Sequence, residues 1–362
     1  MEVRAETLQL HGPIALDCGK SLELAEIAFE AYGSLNENAD NAVLLCHGLT
    51  ADQHAAGGLH PGTGRPGWWE AVIGPGKALD TERFCIVSTN TLGSYGGSTG
   101  PASISPATGR PYGIAFPVVT IADMVRAQRR LARQLGISRF RAVIGGCMGG
   151  FQVYEWLRQA PEQVGHGIAI SATSRTSAHN TALWSVLRRA ITSDPSWDNG
   201  DYYDGPRPDR GMGLMATFGA LFWMSREGLE QRFGLRRIDD APQWSLGTEF
   251  EIEQFLDRIA ENAAGSIDPN ALLYLTRAID YFDLTQAGSG LEGVFAGLTG
   301  PVTLISYRGD WRYPPDEIEV IREAMAKTGA DARHVILDSG YGHGGFLKDT
   351  GSIAPILRAA LD

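Results

Sequence analysis

The chain has 362 residues, of which 43% are apolar, and a formal net charge of −11. This length and apolar content can build one large or two smaller α/β domains with a sizeable core. The acidic balance argues against nucleic acid or an anionic membrane as a partner, because both require clustered lysine and arginine. We therefore expect small-molecule substrates.

The N-terminus and the cysteines indicate a reducing compartment. The opening residues, MEVRAETLQL, lack the basic start and apolar run of a secretory signal. Cys18, Cys46, Cys85 and Cys147 are widely and irregularly spaced, which is not typical of a disulfide framework or of a zinc site. We expect a cytoplasmic protein with free thiols.

Short apolar segments alternate with helical patterns along most of the chain, which predicts a mostly parallel sheet with helices on both faces. Apolar residues at helical spacing predict helices over 121–135, 148–159 and 353–361. The predicted buried strands are 43–47, 84–88, 141–145, 167–171, 302–306 and 333–337.

Residues 175–298 interrupt this alternation with helical segments separated by stretches rich in proline, glycine and aspartate. We expect them to form a helical cap inserted into a core made of residues 1–174 and 299–362. The predicted cap helices are 182–191, 214–233, 250–262 and 271–282.

Residues 145 to 149 read Gly-Gly-Cys-Met-Gly and lie between a predicted strand and a predicted helix. This is the G-x-S-x-G pattern of a nucleophile elbow, with Cys147 in the place of serine. Glycines are required because a sharp, strained turn would bring side chains at their positions into collision. The N-terminus of the following helix should lower the pKa of the thiol. We predict a nucleophile; the alternative is a small buried cysteine in a glycine-rich turn.

A base and an orienting acid follow in the chain order typical of this elbow, which is nucleophile, acid, histidine. Asp310 and His343 each come after the C-terminal end of a predicted strand, where such sheets build their sites. His343 would accept the thiol proton, and Asp310 would fix the tautomer of the ring. A lone aspartate or histidine in a loop is more often only solvated, but their joint placement favours a triad with Cys147.

Acyl chemistry also requires two donors for an oxyanion. One should be the backbone N–H of Met148, directly after the nucleophile, and the candidate for the other is Leu49 in the loop after strand 43–47. Without the elbow, this loop could equally be an ordinary connection at the end of a strand.

No metal site and no bound cofactor are predicted. His54 and His60 lie close in sequence, but no third ligand is spaced to join them around a metal ion.

With these residues in place, the sequence resembles the homoserine O-acetyltransferase family, α/β-hydrolase enzymes that transfer acyl groups by a ping-pong route. The resemblance covers almost the whole chain, through motifs such as CHGLTADQHAAG, IGGCMGGFQVYEW, GDWRYPP and GYGHGGFL. It implies the α/β-hydrolase fold, a helical cap over the site, and Cys147, Asp310 and His343 as the triad. It also implies acyl-CoA as a possible donor and a homodimer formed through the cap. The family nucleophile is normally serine.

Further departures from the family lie in the predicted substrate pocket. Ala216 aligns with the family's substrate-binding arginine, Trp223 with a tyrosine, Gly344 with an acid, and Trp184 begins a motif that usually reads Asn-Glu. Homoserine is a zwitterion, so a buried site must pair its carboxylate with a cation and its ammonium with an acid. The replacements predict an acceptor other than homoserine.

Three arginines of the cap could replace the missing cation. These are Arg188, Arg189 and Arg226. The alternative is that they are exposed charges of cap helices, as arginines usually are.

Three functions remain open. The first is acyl transfer through an acyl-Cys147 thioester, from acyl-CoA or another ester or thioester to a small acceptor, because exchange between thioesters is nearly isoenergetic. The second is a carboxylesterase or thioesterase, in which water replaces the acceptor. The third is a non-catalytic binding protein, against which the triad argues.

Overall fold

The structure is a computed structural model that describes residues 1–265, 267–288 and 290–362. Its strands within these ranges are β1 Val3–Gln9, β2 Ile14–Ala15, β3 Ser21–Leu22, β4 Glu26–Tyr32, β5 Ala42–Cys46, β6 Cys85–Thr89, β7 Ala142–Gly146, β8 Gly167–Ile170, β9 Val302–Arg308 and β10 Ala332–Asp338. Eight of them form one sheet in the order β1-β4-β6-β5-β7-β8-β9-β10, and β2 pairs with β3.

The centre of the large sheet is parallel and buried. The pairings from β6 through β5, β7, β8 and β9 to β10 are parallel, and every residue of β5, β6 and β7 is buried. Such strands occur where helices cover both faces of a sheet. The predicted fold class is thereby confirmed, and each of the six predicted strands has a counterpart.

Two antiparallel strands at one edge were not predicted. β4 pairs with both β1 and β6 in antiparallel register. Their sequences, VRAETLQ and EIAFEAY, contain charged residues that interrupt the apolar run on which the other strand predictions depend.

The α-helices of the described ranges are α1 Ile121–Gln134, α2 Met148–Gln159, α3 Ala178–Thr192, α4 Asp209–Trp223, α5 Arg226–Arg232, α6 Glu251–Ala263, α7 Pro269–Asp280, α8 Gly290–Phe295, α9 Pro315–Lys327, α10 Gly345–Lys348 and α11 Thr350–Leu361. Within the described ranges, no helix is long and apolar enough to cross a bilayer.

Helices α3 to α7 form a layer inserted between β8 and β9. Helix α3 packs against α4 and α7, and α4 packs against α6. The chain enters and leaves the layer at one place, because the N–H of Thr176 donates to the carbonyl of Phe282 (3.0 Å) and the N–H of Leu284 to that of Ser174 (3.0 Å). The cap boundaries at 175 and 298 stay a prediction.

The prediction of one helix over 214–233 is wrong, because the segment forms α4 and α5 with a break between them. Met224 is extended (φ −96°, ψ 149°), and the Ser225 hydroxyl accepts a hydrogen bond from the N–H of Gly228 at 3.0 Å. A serine side chain that caps a new helix competes with continuation of the preceding one.

Candidate active site

Cys147 occupies a sharp turn between β7 and α2. Its backbone has φ 58° and ψ −123°, a strained conformation for a residue with a side chain. A Cβ on Gly145 would overlap the carbonyl of Gly149, and a Cβ on Gly149 would overlap the carbonyl of Cys46. The glycines around the cysteine are thus required by the close approach of three backbone segments.

Asp310 and His343 meet beside the elbow. Asp310 Oδ2 lies 2.9 Å from His343 Nδ1, and Oδ1 accepts the backbone N–H groups of Arg312 and Tyr313, both at 3.1 Å. These contacts fix the carboxylate and the imidazole, and His343 also interacts with the Cys147 thiol. The three side chains are buried, with 6%, 2% and 3% exposure for Cys147, Asp310 and His343.

The charges around Cys147 and His343 favour an ion pair between the thiol and the imidazole. Burial by itself raises the pKa of Cys147, but the His343 charge and hydrogen bond, the Arg312 guanidinium and the Met148 N–H outweigh it and lower the pKa to about 7. Burial lowers the pKa of His343, yet the negative charges of Asp310 and Cys147 raise it to about 9. A thiolate is the nucleophilic form of cysteine, and these charges favour that form of Cys147 near neutral pH.

The predicted oxyanion donors lie next to the thiol. A Cβ built on Gly48 would lie 3.7 Å from Cys147 Cβ, so the loop after β5 contacts the elbow. The N–H of Leu49 has no acceptor in the described part of the chain, and the N–H of Met148 interacts with the Cys147 sulfur. Both N–H groups remain the candidate donors to an oxyanion formed at Cys147.

His47 holds this loop in place. Burial lowers the pKa of His47, which favours the neutral ring. Its Nδ1 lies 2.7 Å from the Gly48 carbonyl and its Nε2 lies 3.0 Å from Thr91 Oγ1. The Nε2 atom also lies 3.1 Å from Asn90 Oδ1, so the ring is held between the Gly48 carbonyl and the side chains of Asn90 and Thr91.

Arg312 is the site residue that sequence reasoning missed. It is 8% exposed, and its guanidinium carbon lies 4.6 Å from the centre of the Trp184 ring. Nε donates to Asn180 Oδ1 at 3.3 Å and Nη2 to the Tyr313 hydroxyl at 3.3 Å, and no described carboxylate lies within ion-pair distance. The signal was present two residues after Asp310 in GDWRYPP, where only the aspartate was considered.

A pocket of about 420 Å³ leads to these groups. Trp184, Ala216 and Trp223 line it, together with Cys147, Leu49, Arg312 and His343, and their role in substrate binding stays a prediction. Gly344 is not among the described residues that line the pocket. It lies behind Trp223, and a Cβ on Gly344 would be 2.7 Å from the indole.

The three arginines considered from sequence do not line this pocket. Arg188 Nη2 pairs with Asp280 Oδ2 at 2.7 Å, and Arg188 and Arg189 face a separate surface depression. Arg226 is exposed at the start of α5. The cation of the pocket is therefore Arg312, with exposed Arg65 as a second arginine in the lining.

The two candidate metal ligands, His54 and His60, make contacts within the loop after β5 and with β4. His54 Nδ1 lies 3.0 Å from Glu30 Oε2, and its Nε2 lies 3.1 Å from the Gly58 carbonyl. His60 packs edge-on against His54 with ring centres 5.1 Å apart. Within 1–265, 267–288 and 290–362, no group of three or more His, Cys, Asp or Glu side chains could hold a metal ion.

Comparison with known proteins places this geometry in a family. Residues 41–350 match the family described as alpha/beta hydrolase fold. The homoserine O-acetyltransferase of Methanosarcina acetivorans is 39% identical over 391 residues, which cover 99% of this chain and 72% of that protein. The chain therefore belongs to the α/β-hydrolase fold family and, within it, to the homoserine O-acetyltransferase-like proteins, which confirms the resemblance seen in the sequence.

Solved structures with this fold include both acyltransferases and hydrolases. The homoserine O-acetyltransferase from Bacillus anthracis has a TM-score of 0.91 and 26% identity, covering 100% of this chain and 98% of that one. Esterase E22 has a TM-score of 0.88 and 30% identity, covering 100% of both chains. Similarity alone therefore does not choose between transfer and hydrolysis.

Proposed function

We propose that the protein is an acyltransferase that forms an acyl-Cys147 thioester with acyl-CoA, or another ester or thioester, and passes the acyl group to a small acceptor other than homoserine. The observation that carries the proposal is the buried Cys147 beside a His343 ring held by Asp310 at 2.9 Å.

Acylation begins with the thiolate. The sulfur of Cys147 attacks the donor carbonyl, and the N–H groups of Leu49 and Met148 donate to the oxyanion that forms. The intermediate collapses when the C–S bond to CoA breaks and the CoA sulfur takes the proton of the His343 imidazolium. Acyl-Cys147, free CoA and a neutral imidazole result.

Transfer to the acceptor uses the same imidazole as a base. Formation of the thioester removes the thiolate, one of the two negative charges that raise the pKa of His343. The pKa of His343 therefore falls in the acyl-enzyme, and the ring can accept the proton of an acceptor hydroxyl, amine or thiol. The acceptor attacks the thioester carbonyl, the Cys147–carbon bond breaks, and the ion pair forms again.

The charges of the pocket argue against homoserine. Arg312 could pair with a carboxylate, but the described lining residues include no aspartate or glutamate for an ammonium group. An unpaired polar group in such a site can reduce turnover by roughly 10⁴-fold. An acceptor that is neutral or carries one negative charge fits these residues better.

The test is intact-mass analysis of the protein after mixing with acetyl-CoA and, separately, with simple acetyl esters. We expect one acyl group on Cys147, none on Cys147→Ala, and faster acyl loss with a neutral alcohol or amine of homoserine's length than with homoserine. An acyl group on another cysteine would remove the proposed nucleophile, and efficient O-acetylhomoserine formation would overturn the acceptor assignment.

A second candidate function is hydrolysis of a small ester, which the full-length similarity to esterase E22 favours. Acyl-Cys147 would then react with water. In the same experiment, acyl loss at one rate with or without any acceptor would favour the esterase.

We also infer a homodimer formed through the helical insertion, as the family resemblance implies. Leu214, Phe218 and Leu221 lie on α4 and are 48%, 39% and 38% exposed. Sedimentation at micromolar concentration should show a dimer, and a monomer alone would contradict this inference.

A further inference from the structure

The pocket extends beyond the catalytic groups into an apolar compartment between α3, α4 and α6. Leu187 of α3, Met212 and Ala216 of α4, and Ile259 of α6 line it. Leu187 and Met212 are almost fully buried. We call this space the alkyl compartment.

The charged side chains of the pocket lie outside these three helices. Among the described lining residues they are Arg65, Arg312 and His343, from loops after β5, β9 and β10. The Trp184 ring covers the Arg312 guanidinium at 4.6 Å.

Small residues form part of the pocket-facing side of α4, to which Met212, Met215, Phe222 and Trp223 also contribute. Ala216, Gly219 and Ala220 follow at helical i, i+3 and i+4 spacing and line the pocket. Earlier on α4, a Cβ on Gly213 would lie 3.3 Å from Ala260 of α6, whereas a Cβ on Gly219 would have no neighbour within 4 Å. Glycine inside a helix costs about 1 kcal/mol relative to alanine, and no backbone contact requires it at position 219.

We propose that the alkyl compartment binds a saturated carbon chain of the acyl group, so that medium-chain acyl donors are preferred to acetyl donors. This inference rests on the proposed acylation of Cys147. A wall without charges can stabilise methylene groups but cannot pair a second charged group of a substrate. Each buried methylene should raise the rate of acylation about fourfold.

The first arm of the test examines the compartment without acyl transfer. In a Cys18→Ser background, methyl, butyl and hexyl methanethiosulfonates react with the Cys147 thiolate, which bonds to the alkyl-bearing sulfur and expels methanesulfinate. We expect the hexyl reagent to react with Cys147 at least about tenfold faster than the methyl reagent, after correction for the rate of each reagent with a free thiol. Equal corrected rates would overturn the proposal.

Two variants fill the compartment, and a third variant serves as the matched control. Gly219→Leu and Ala216→Leu should each reduce the hexyl-to-methyl rate ratio toward one. Ala326→Leu makes the same kind of change on the exposed face of α9 and should keep the wild-type ratio. A ratio unchanged in both filling variants, with native circular dichroism, would overturn the location.

The second arm measures acyl-Cys147 formation with acetyl-, butanoyl- and hexanoyl-CoA. A rise with chain length that Gly219→Leu abolishes supports the proposal, and fastest reaction with acetyl-CoA overturns it. If thiosulfonates show the chain preference but no donor acylates Cys147, the proposed function fails while the compartment stands. If all three donors acylate Cys147 at the same rate and the thiosulfonate rates do not change with chain length, the compartment assignment fails while the proposed function stands.

Discussion

The Cys147–His343 ion pair predicts how the reactivity of the thiol depends on pH. In the protein, the pKa of Cys147 is about 7. A His343→Gln variant loses the imidazolium charge and its hydrogen bond, whereas burial, which raises the pKa, remains. We expect the pKa of the thiol to rise to about 8.5, the value of an ordinary cysteine.

Two opposing effects set the size of the change. At pH 7 the thiolate fraction falls from about one half to about 3%, roughly a 16-fold loss. The intrinsic nucleophilicity of the thiolate rises about 4- to 6-fold, because it follows the pKa with a slope of about 0.4–0.5. Reaction with a disulfide should therefore be about 3- to 4-fold slower at pH 7, and the two rate curves should cross near pH 8.

The assay follows release of pyridinethione from a small pyridyl disulfide between pH 5 and pH 10.5. It requires a Cys18→Ser background, since Cys18 is the exposed thiol, whereas burial raises the pKa of Cys46 to about 12 and also raises that of Cys85. His11→Gln, at an exposed histidine, is the matched control and should keep an inflection near 7. An inflection near 7 in His343→Gln as well would refute the ion pair.

Other consequences can be tested by substitution. Gly149→Ala should lower the free energy of unfolding by at least about 1–3 kcal/mol, because its Cβ would overlap a carbonyl of β5; a wild-type urea midpoint would contradict the elbow geometry. Asp310→Asn should keep the native circular dichroism and lose on the order of 10³- to 10⁴-fold in acyl transfer; a loss below tenfold would argue against its orienting role. Arg312→Met should shift the thiol inflection above pH 7, by less than the His343 variant does, because it removes one cation that lowers the pKa; an unchanged inflection would exclude that coupling. Gly344→Asp should be destabilised, as measured by thermal unfolding, and adding Trp223→Tyr should recover part of the loss; equal stability of the single variant and the unmodified protein would contradict the packing described here.

The sequence was sufficient for the core of the site because that information is local. The elbow is a short pattern between a strand and a helix, and Asp310 and His343 follow the ends of later strands in the expected order. Parallel strands bring these ends to one edge of the sheet, so the three side chains could be placed together without knowledge of side-chain packing.

The rest of the site depends on contacts between distant segments. Arg312 acts on Cys147 because α3 packs over the loop after β9, with Asn180 and Trp184 holding the guanidinium. The sequence places this arginine two residues after Asp310, but only the packing of α3 shows that it is buried. The break at Met224 was likewise missed because apolar spacing continues through it, while a serine cap decides the end of the helix.

The departures from the family pattern around homoserine are linked by packing. Trp223 and Gly344 lie in contact, and a Cβ at position 344 would lie 2.7 Å from the Trp223 indole. An acidic side chain therefore cannot enter at 344 while the indole keeps its place. Arg312 is a cation of the pocket, and the described lining residues include no aspartate or glutamate. The combination removes the partner of an ammonium group and retains one for a carboxylate, which is why the acceptor is expected to lack homoserine's positive charge.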